Sequence, residues 1–104
     1  MVTHIQVICE RGEDIIERQY VQPHKTSAIL TYLRLLKCGS RAQTDPEQLT
    51  GDHFEIILYN SSGERSIYRQ RANRYFSKNS GAWVKILPEQ AGLLYPLILA
   101  MPGD

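Results

Sequence analysis

Disulfide bonds, membrane spans and export signals have little or no support in this 104-residue sequence. It contains only two cysteines, Cys9 and Cys38, which form no CxxC pair, so we expect free thiols in a reducing compartment rather than a disulfide framework. The longest apolar run, residues 91–101, is too short to span a bilayer and is predicted to be a buried helix. The N-terminus lacks the basic and apolar regions of a secretory signal. We therefore predict a cytoplasmic protein without a membrane segment, and its size suggests a bacterial one.

The chain also lacks an excess of charge of either sign. Its twelve Lys and Arg residues and eleven Asp and Glu residues give a formal net charge of +1. That balance excludes a uniformly basic nucleic-acid coat and an acidic disordered tail. Hydrophobic residues make up 42% and charged residues 22%, as in an average soluble globular protein. The length predicts one domain, residues 1–104, which can bury a core without a metal or a disulfide.

Catalytic and metal-binding motifs are missing as well. His4, His24 and His53 fall in different predicted elements and form no HExxH pair, so no metal site is expected. No serine stands in a GxSxG turn, and the glycines fit neither a P-loop nor a dinucleotide-binding fingerprint. Cys9 lies on the apolar face of a predicted strand, and Cys38 ends a predicted helix, where the helix dipole disfavours a thiolate. We therefore predict neither an enzyme nor a cofactor-dependent protein, and no motif points to a known family.

Alternating apolar and polar residues, broken by glycine turns, predict strands and two helices. The predicted elements are strands at 4–9 and 15–21, a helix from Thr26 to near Cys38 with Gly39 as its C′ residue, a loop at 39–52, strands at 53–59, 66–70, 74–76 and 82–86, and a helix from Pro88. The predicted fold class is α+β: an antiparallel sheet of five or six strands with both helices on one face, in the order ββα-ββββα. The segments 4–8 and 53–57 are similar, so a ββα internal pseudo-repeat is one interpretation.

The predicted closing helix is unusual because residues 91–101 contain no charged side chain. Pro96 removes one helical hydrogen bond and presses on the carbonyl of Gly92, so we predict a kink near Gly92–Pro96 or a break into two segments. A helix that is apolar all round needs two buried faces. The second face is covered either by the 39–52 loop or by another subunit, which makes the protein a candidate homodimer. The predicted interface residues are Leu93, Tyr95, Leu97 and Leu99.

One local signal favours a binding function. Between Arg65 and Lys85 the chain carries six Lys or Arg residues and no Asp or Glu, interleaved with aromatic residues. A basic, aromatic sheet face can bind an acidic protein, since Arg, Tyr and Trp are common interface anchors. It can also contact phosphates and stack bases, or be a solvated face whose arginines pair with Glu17, Glu55 or Glu64. The candidate binding residues are Arg65, Tyr68, Arg69, Arg71, Arg74, Tyr75, Lys78 and Lys85.

We therefore predict a non-catalytic binding or regulatory module of the cytoplasm that engages an acidic protein partner through this basic sheet face. A nucleic-acid-binding domain that uses the same face is the first alternative. A small enzyme or ligand-binding protein, which needs a concave pocket with convergent polar groups, is the second. The sequence indicates no cofactor, no metal and no membrane partner.

Overall fold

The computed structural model of the protein describes residues 1–104. The strands are β1 (Val2–Arg11), β2 (Asp14–Tyr20), β3 (Cys38–Arg41), β4 (His53–Asn60), β5 (Arg65–Arg71), β6 (Tyr75–Lys78) and β7 (Val84–Ile86). The helices are α1 (Pro23–Leu35), α2 (Pro88–Ala91) and α3 (Leu94–Ala100), and a 3₁₀ turn spans Pro46–Gln48. None of the helices is long and apolar enough to cross a membrane.

All seven strands form one antiparallel sheet in the order β2-β1-β4-β5-β6-β7-β3. The predicted α+β class and the antiparallel sheet are confirmed, whereas the predicted count of five or six strands is wrong. The additional strand is β3, which lies in a segment that we expected to be a helix end and a loop. The ββα pseudo-repeat stays a prediction.

Strand β3 can form because α1 ends at Leu35, before the predicted end near Cys38. Leu36 already has extended backbone angles, so Gly39 lies within β3 and does not cap the helix. The strand then pairs with β7, where Cys38 stands opposite Ile86. The pairing does not require glycine at position 39, because a Cβ there would make an ordinary van der Waals contact of 3.4 Å with the carbonyl oxygen of Lys85. A short polar strand with a remote partner has no local pattern, which is why the sequence did not reveal it.

The core lies between the sheet and the helices, and it follows from the alternation of side chains on β1 and β4. The apolar side chains that alternate along both strands are buried and stand opposite each other in the register of the pair. Helical side chains pack onto the same cluster, so the helices lie on one face of the sheet. The central core residues are Ile5, Val7 and Cys9 of β1, Phe54, Ile56 and Leu58 of β4, Ile29 of α1, and Leu94 and Ile98 of α3.

The closing helix is interrupted at Gly92 and Leu93, which separates α2 from α3, so the predicted break is observed. Pro88 stands at the start of α2, and Pro96 lies in the first turn of α3, where the missing N–H of proline costs no helical hydrogen bond. Gly92 permits a close approach of the backbone, because a Cβ there would lie 3.2 Å from the carbonyl oxygen of Pro88.

The segment between β3 and β4 runs along the face of the sheet opposite the helices, which we call the open face. Arg71 points to this face, because its neighbour Gln70 points the other way and is hydrogen-bonded to α1. The Glu47 carboxylate lies 3.5 Å from the Arg71 guanidinium, and the N–H of Ala42 donates to the carbonyl of Trp83 at 2.8 Å. The middle of the segment is thus placed on the open face. Its end reaches the helix side, because Asp52 lies 3.5 Å from Nε of Arg11, whose guanidinium lies over the ring of Tyr95 in α3.

The residues that follow α3 tie the chain back to β2 and α1. The Asp104 carboxylate accepts hydrogen bonds from the backbone N–H groups of Val21 (2.6 Å) and Gln22 (2.9 Å) and from Nζ of Lys25 (2.8 Å). The N–H of Asp104 donates to the carbonyl of Gln19 at 2.8 Å. Gln22 supplies no side-chain cap to α1, and Asp104 instead satisfies the N–H groups of Gln22 and Val21 just ahead of the first helical turn. The hydrogen bond from Lys25, followed by the two backbone N–H groups, lowers the pKa of Asp104 to about 2.

Candidate functional site

The strand order places four strands that carry only positive charge next to one another. Strands β5, β6, β7 and β3 contain six Lys or Arg residues and no Asp or Glu, and we call them the cationic half of the sheet. The carboxylates of the remaining strands are Glu10, Asp14, Glu17 and Glu55. The cations of the cationic half are Arg41, Arg65, Arg69, Arg71, Lys78 and Lys85. A net charge near zero therefore conceals a sheet whose charge is segregated across its width.

The predicted binding residues are divided between the two faces of the sheet. Tyr68 and Lys78 stand opposite each other on the face that carries the helices. Arg74 is exposed and lies just before β6. The predicted residues on the open face are Arg65, Arg69, Arg71, Tyr75 and Lys85.

Arg71 is enclosed by groups of its own chain, and its side chain is only 8% exposed. One terminal nitrogen donates to the carbonyl oxygens of Phe54 (3.1 Å) and Gln70 (3.2 Å), and the other lies 3.5 Å from the carboxylate of Glu47. The guanidinium carbon is 5.6 Å from the centre of the Trp83 ring. Its Nε is buried without a hydrogen-bond partner. Arg71 therefore anchors the segment between β3 and β4 to the open face and does not project toward a ligand.

Three more of the predicted residues have neighbours within the chain. Nε of Arg69 lies 3.7 Å from the carboxylate of Glu55, its partner across β4 and β5, which is the pairing expected on a solvated face. Nζ of Lys78 lies 5.6 Å from the centre of the Tyr68 ring, and the same ring packs against Phe76 with 5.5 Å between centroids. The Tyr68 ring is therefore occupied by neighbours and not presented for stacking on a base.

The remaining cations are exposed and make no ion pair. Lys37 and Arg41, which flank and end β3, belong to this group, although Lys37 lies in the predicted helix and Arg41 in the predicted loop. The only sequence signal for these two residues is their positive charge at the two ends of residues 37–41, a segment without the apolar alternation that predicts a strand. The exposed cations at or within the cationic half that lack an ion pair are Lys37, Arg41, Arg65, Arg74, Lys78 and Lys85.

Two depressions lie beside these cations. The larger, of about 490 Å³, is lined by residues 49–52 and 72–74, and there Ala72 and Asn73 adopt positive φ angles of 55° and 53° in a tight turn. The other, of about 400 Å³, is lined by residues 37–40 and 85–87 along the β3 edge.

No three His, Cys, Asp or Glu side chains come together as a metal-binding group. Burial raises the pKa of the Cys9 thiol to about 11, whereas Cys38 is exposed.

The structure places the chain in the class of α+β proteins with a seven-stranded antiparallel sheet and a helical layer on one face. The chain matches no protein-family model, and no curated protein or solved structure shows significant similarity to it. The fold and the charge distribution of the sheet therefore carry the functional argument.

Proposed function

We propose that the protein is a non-catalytic binding module that engages an acidic protein partner through the cationic half of its sheet. The observation that carries this proposal is that four adjacent strands hold six cations and no carboxylate. Complementary charge steers association and selects partners. The two free thiols support a reducing compartment such as the cytoplasm.

The surroundings of the aromatic rings favour a protein partner over nucleic acid. Base stacking needs an aromatic ring with a free face. The Tyr68 ring contacts Lys78 and Phe76, and Arg71 lies over the Trp83 ring. The cations also occupy two faces and one edge of the sheet and form no single row that would follow a phosphate backbone. A protein partner needs no such row of cations, because the carboxylates on its surface can be spread over several positions that match the scattered cations.

A homodimer contact through the closing helices is a separate proposal that concerns the opposite side of the molecule. Leu93 and Leu99 are 63% and 50% exposed, and the middle of the segment between β3 and β4 lies on the open face of the sheet. Tyr95 and Leu97, the other predicted interface residues, are partly buried against the core. Exposed apolar side chains on an uncharged helix favour a contact with a second subunit.

Fluorescence anisotropy with defined probes tests the acidic-partner proposal. The probes are a glutamate-rich peptide, its lysine-rich counterpart, and single- and double-stranded DNA. We expect the glutamate-rich peptide to bind, with an affinity that falls as salt is raised. Combined Lys78→Gln and Lys85→Gln substitution should weaken that binding by about threefold to tenfold, since each exposed ion pair contributes modestly.

The matched control adds the same change in net charge elsewhere. Ser27→Glu combined with Thr31→Glu places two negative charges on exposed positions of α1, and we expect it to leave peptide binding unchanged. Tighter binding of DNA than of the glutamate-rich peptide would replace the proposal with nucleic-acid recognition. Absence of peptide binding at low salt, or equal binding of both peptides, would refute it.

A further inference from the structure

The two edges of the sheet are protected very differently. At the β2 edge, the N–H of Asp104 donates to the carbonyl of Gln19 at 2.8 Å, and Gly103 lies against the same backbone. At the other edge, all four residues of β3 are exposed, and β3 is the last strand of the sheet. An edge strand presents unpaired N–H and C=O groups that can pair with another extended chain. The β3 edge is therefore the side on which the sheet is open to extension.

The surroundings of the β3 edge are positively charged. Lys37 precedes the strand, Arg41 ends it, and Lys85 lies on the neighbouring β7. All three side chains are exposed, and none takes part in an ion pair. The depression of about 400 Å³ along this edge also includes Ile86 and the half-exposed Leu87, so it offers apolar contact beside the cations.

We propose that β3 is a docking strand, beside which an extended acidic segment of a partner protein adds to the sheet. The inference rests on the proposed function and names the geometry by which the cationic half recognises its partner. Backbone pairing with β3 supplies affinity, and alternate side chains of the added strand supply selectivity. Carboxylates of that strand meet Lys37, Arg41 and Lys85, and an aliphatic side chain enters the depression.

A second copy of this chain fits the same edge poorly. Two β3 strands side by side would bring the Lys37 and Arg41 side chains of both copies together, and like charges that face each other across strands repel. This repulsion disfavours self-association and leaves the edge open to a segment of opposite charge.

Amide hydrogen exchange followed by NMR distinguishes strand addition from contact through side chains alone. The probe is a short peptide that alternates glutamate with threonine, at saturating concentration. We expect slower exchange at amides within Cys38–Arg41 and no change within Asp14–Glu17 at the opposite edge. Combined Lys37→Gln and Arg41→Gln substitution should weaken binding by about threefold to tenfold, whereas the control Ser27→Glu with Thr31→Glu should not.

The exposed thiol of Cys38 supplies a second readout. Cys9 is fully buried, so a maleimide added to the native protein modifies Cys38 alone. A bulky group at Cys38 occupies the edge depression and should abolish peptide binding. The same group on a Cys38→Ser, Ser27→Cys variant, where it sits on α1, should leave binding intact.

The outcomes separate this inference from the proposed function. Binding of the acidic peptide without slower exchange in β3, or without an effect of the Cys38 label, overturns strand addition and leaves the acidic-partner proposal standing. If a lysine–threonine peptide slows amide exchange in β3 to the same extent, the inference that this edge selects its partner by charge is overturned. Absence of any binding by the acidic peptide overturns both.

Discussion

The buried hydrogen bond between Tyr32 and Gln70 gives the sharpest test of how the helices hold the cationic half in place. The Tyr32 hydroxyl donates to the side-chain oxygen of Gln70, and the Gln70 amide donates to Asn73 and to the carbonyl of Ala91, each at 3.3 Å. Gln70 is fully buried and Tyr32 is 9% exposed. Burial raises the pKa of Tyr32 well above its usual value, so the phenol remains a donor at neutral pH. One glutamine thus joins α1, β5 and α2.

Tyr32→Phe removes the donor and keeps the ring, so it leaves no large cavity. The side-chain oxygen of Gln70 then stays buried without a partner, which costs about 1–3 kcal/mol in the free energy of unfolding. Unfolding entropy is about 2.1 cal/mol/K per residue, so for a chain of 104 residues a loss of about 2 kcal/mol lowers Tm by about 9 °C. We expect the urea midpoint to fall while the slope m stays constant, because the folded state keeps its extent of burial.

A double-mutant cycle isolates the pair from its surroundings. Gln70→Leu leaves the Tyr32 hydroxyl and the Ala91 carbonyl without partners. The double variant should therefore lose less stability than the sum of the two single losses, by about 1 kcal/mol. Tyr75→Phe is the control, because the Tyr75 hydroxyl makes no hydrogen bond in the structure and its loss should cost less than about 0.5 kcal/mol. If Tyr32→Phe is as mild as Tyr75→Phe, the argument for a buried network is refuted.

Two further predictions concern the end of the chain and the closing helices. Asp104→Asn should lower Tm at neutral pH. Because the pKa of Asp104 in the folded protein is about 2, below the ordinary value of 3.8, the difference in Tm between this variant and the unmodified protein should vanish as pH falls from about 4 to about 2. A difference in Tm that persists at about pH 2 would contradict this prediction. Light scattering at micromolar concentration should report twice the mass of the chain, and Leu93→Glu with Leu99→Glu should halve it. A monomeric mass for the unmodified protein would refute the helix contact.

Elements that depend on neighbouring residues were predictable from the sequence. The alternation of Ile5, Val7 and Cys9 identified a strand with one buried face, because successive strand side chains point to opposite sides. The break in the closing helix followed from Pro96 and Gly92, since the missing N–H and the ring of proline act within one helical turn. The concentration of cations from Arg65 to Lys85 was also visible by counting.

The grouping of charge on the sheet depended on pairings between remote segments. β3 carries no apolar alternation and becomes a strand only because the free edge of β7 pairs with it. The helical position assigned to Gly39 was wrong for the same reason. Arg71 looked like one of several surface cations. Only the tertiary structure encloses it between Glu47 of the segment that links β3 to β4 and Trp83, which precedes β7.

The fold class, the buried faces of the central strands and the basic stretch could be inferred from the sequence, because side-chain periodicity and local charge are properties of neighbouring residues. Which cations stay exposed, which face each one occupies, and the position of Lys37 and Arg41 at an open edge depend on contacts between remote segments. Strand order is set by burial and by hydrogen bonding between segments far apart in the chain. That order turns a nearly neutral sequence into a sheet with one cationic half.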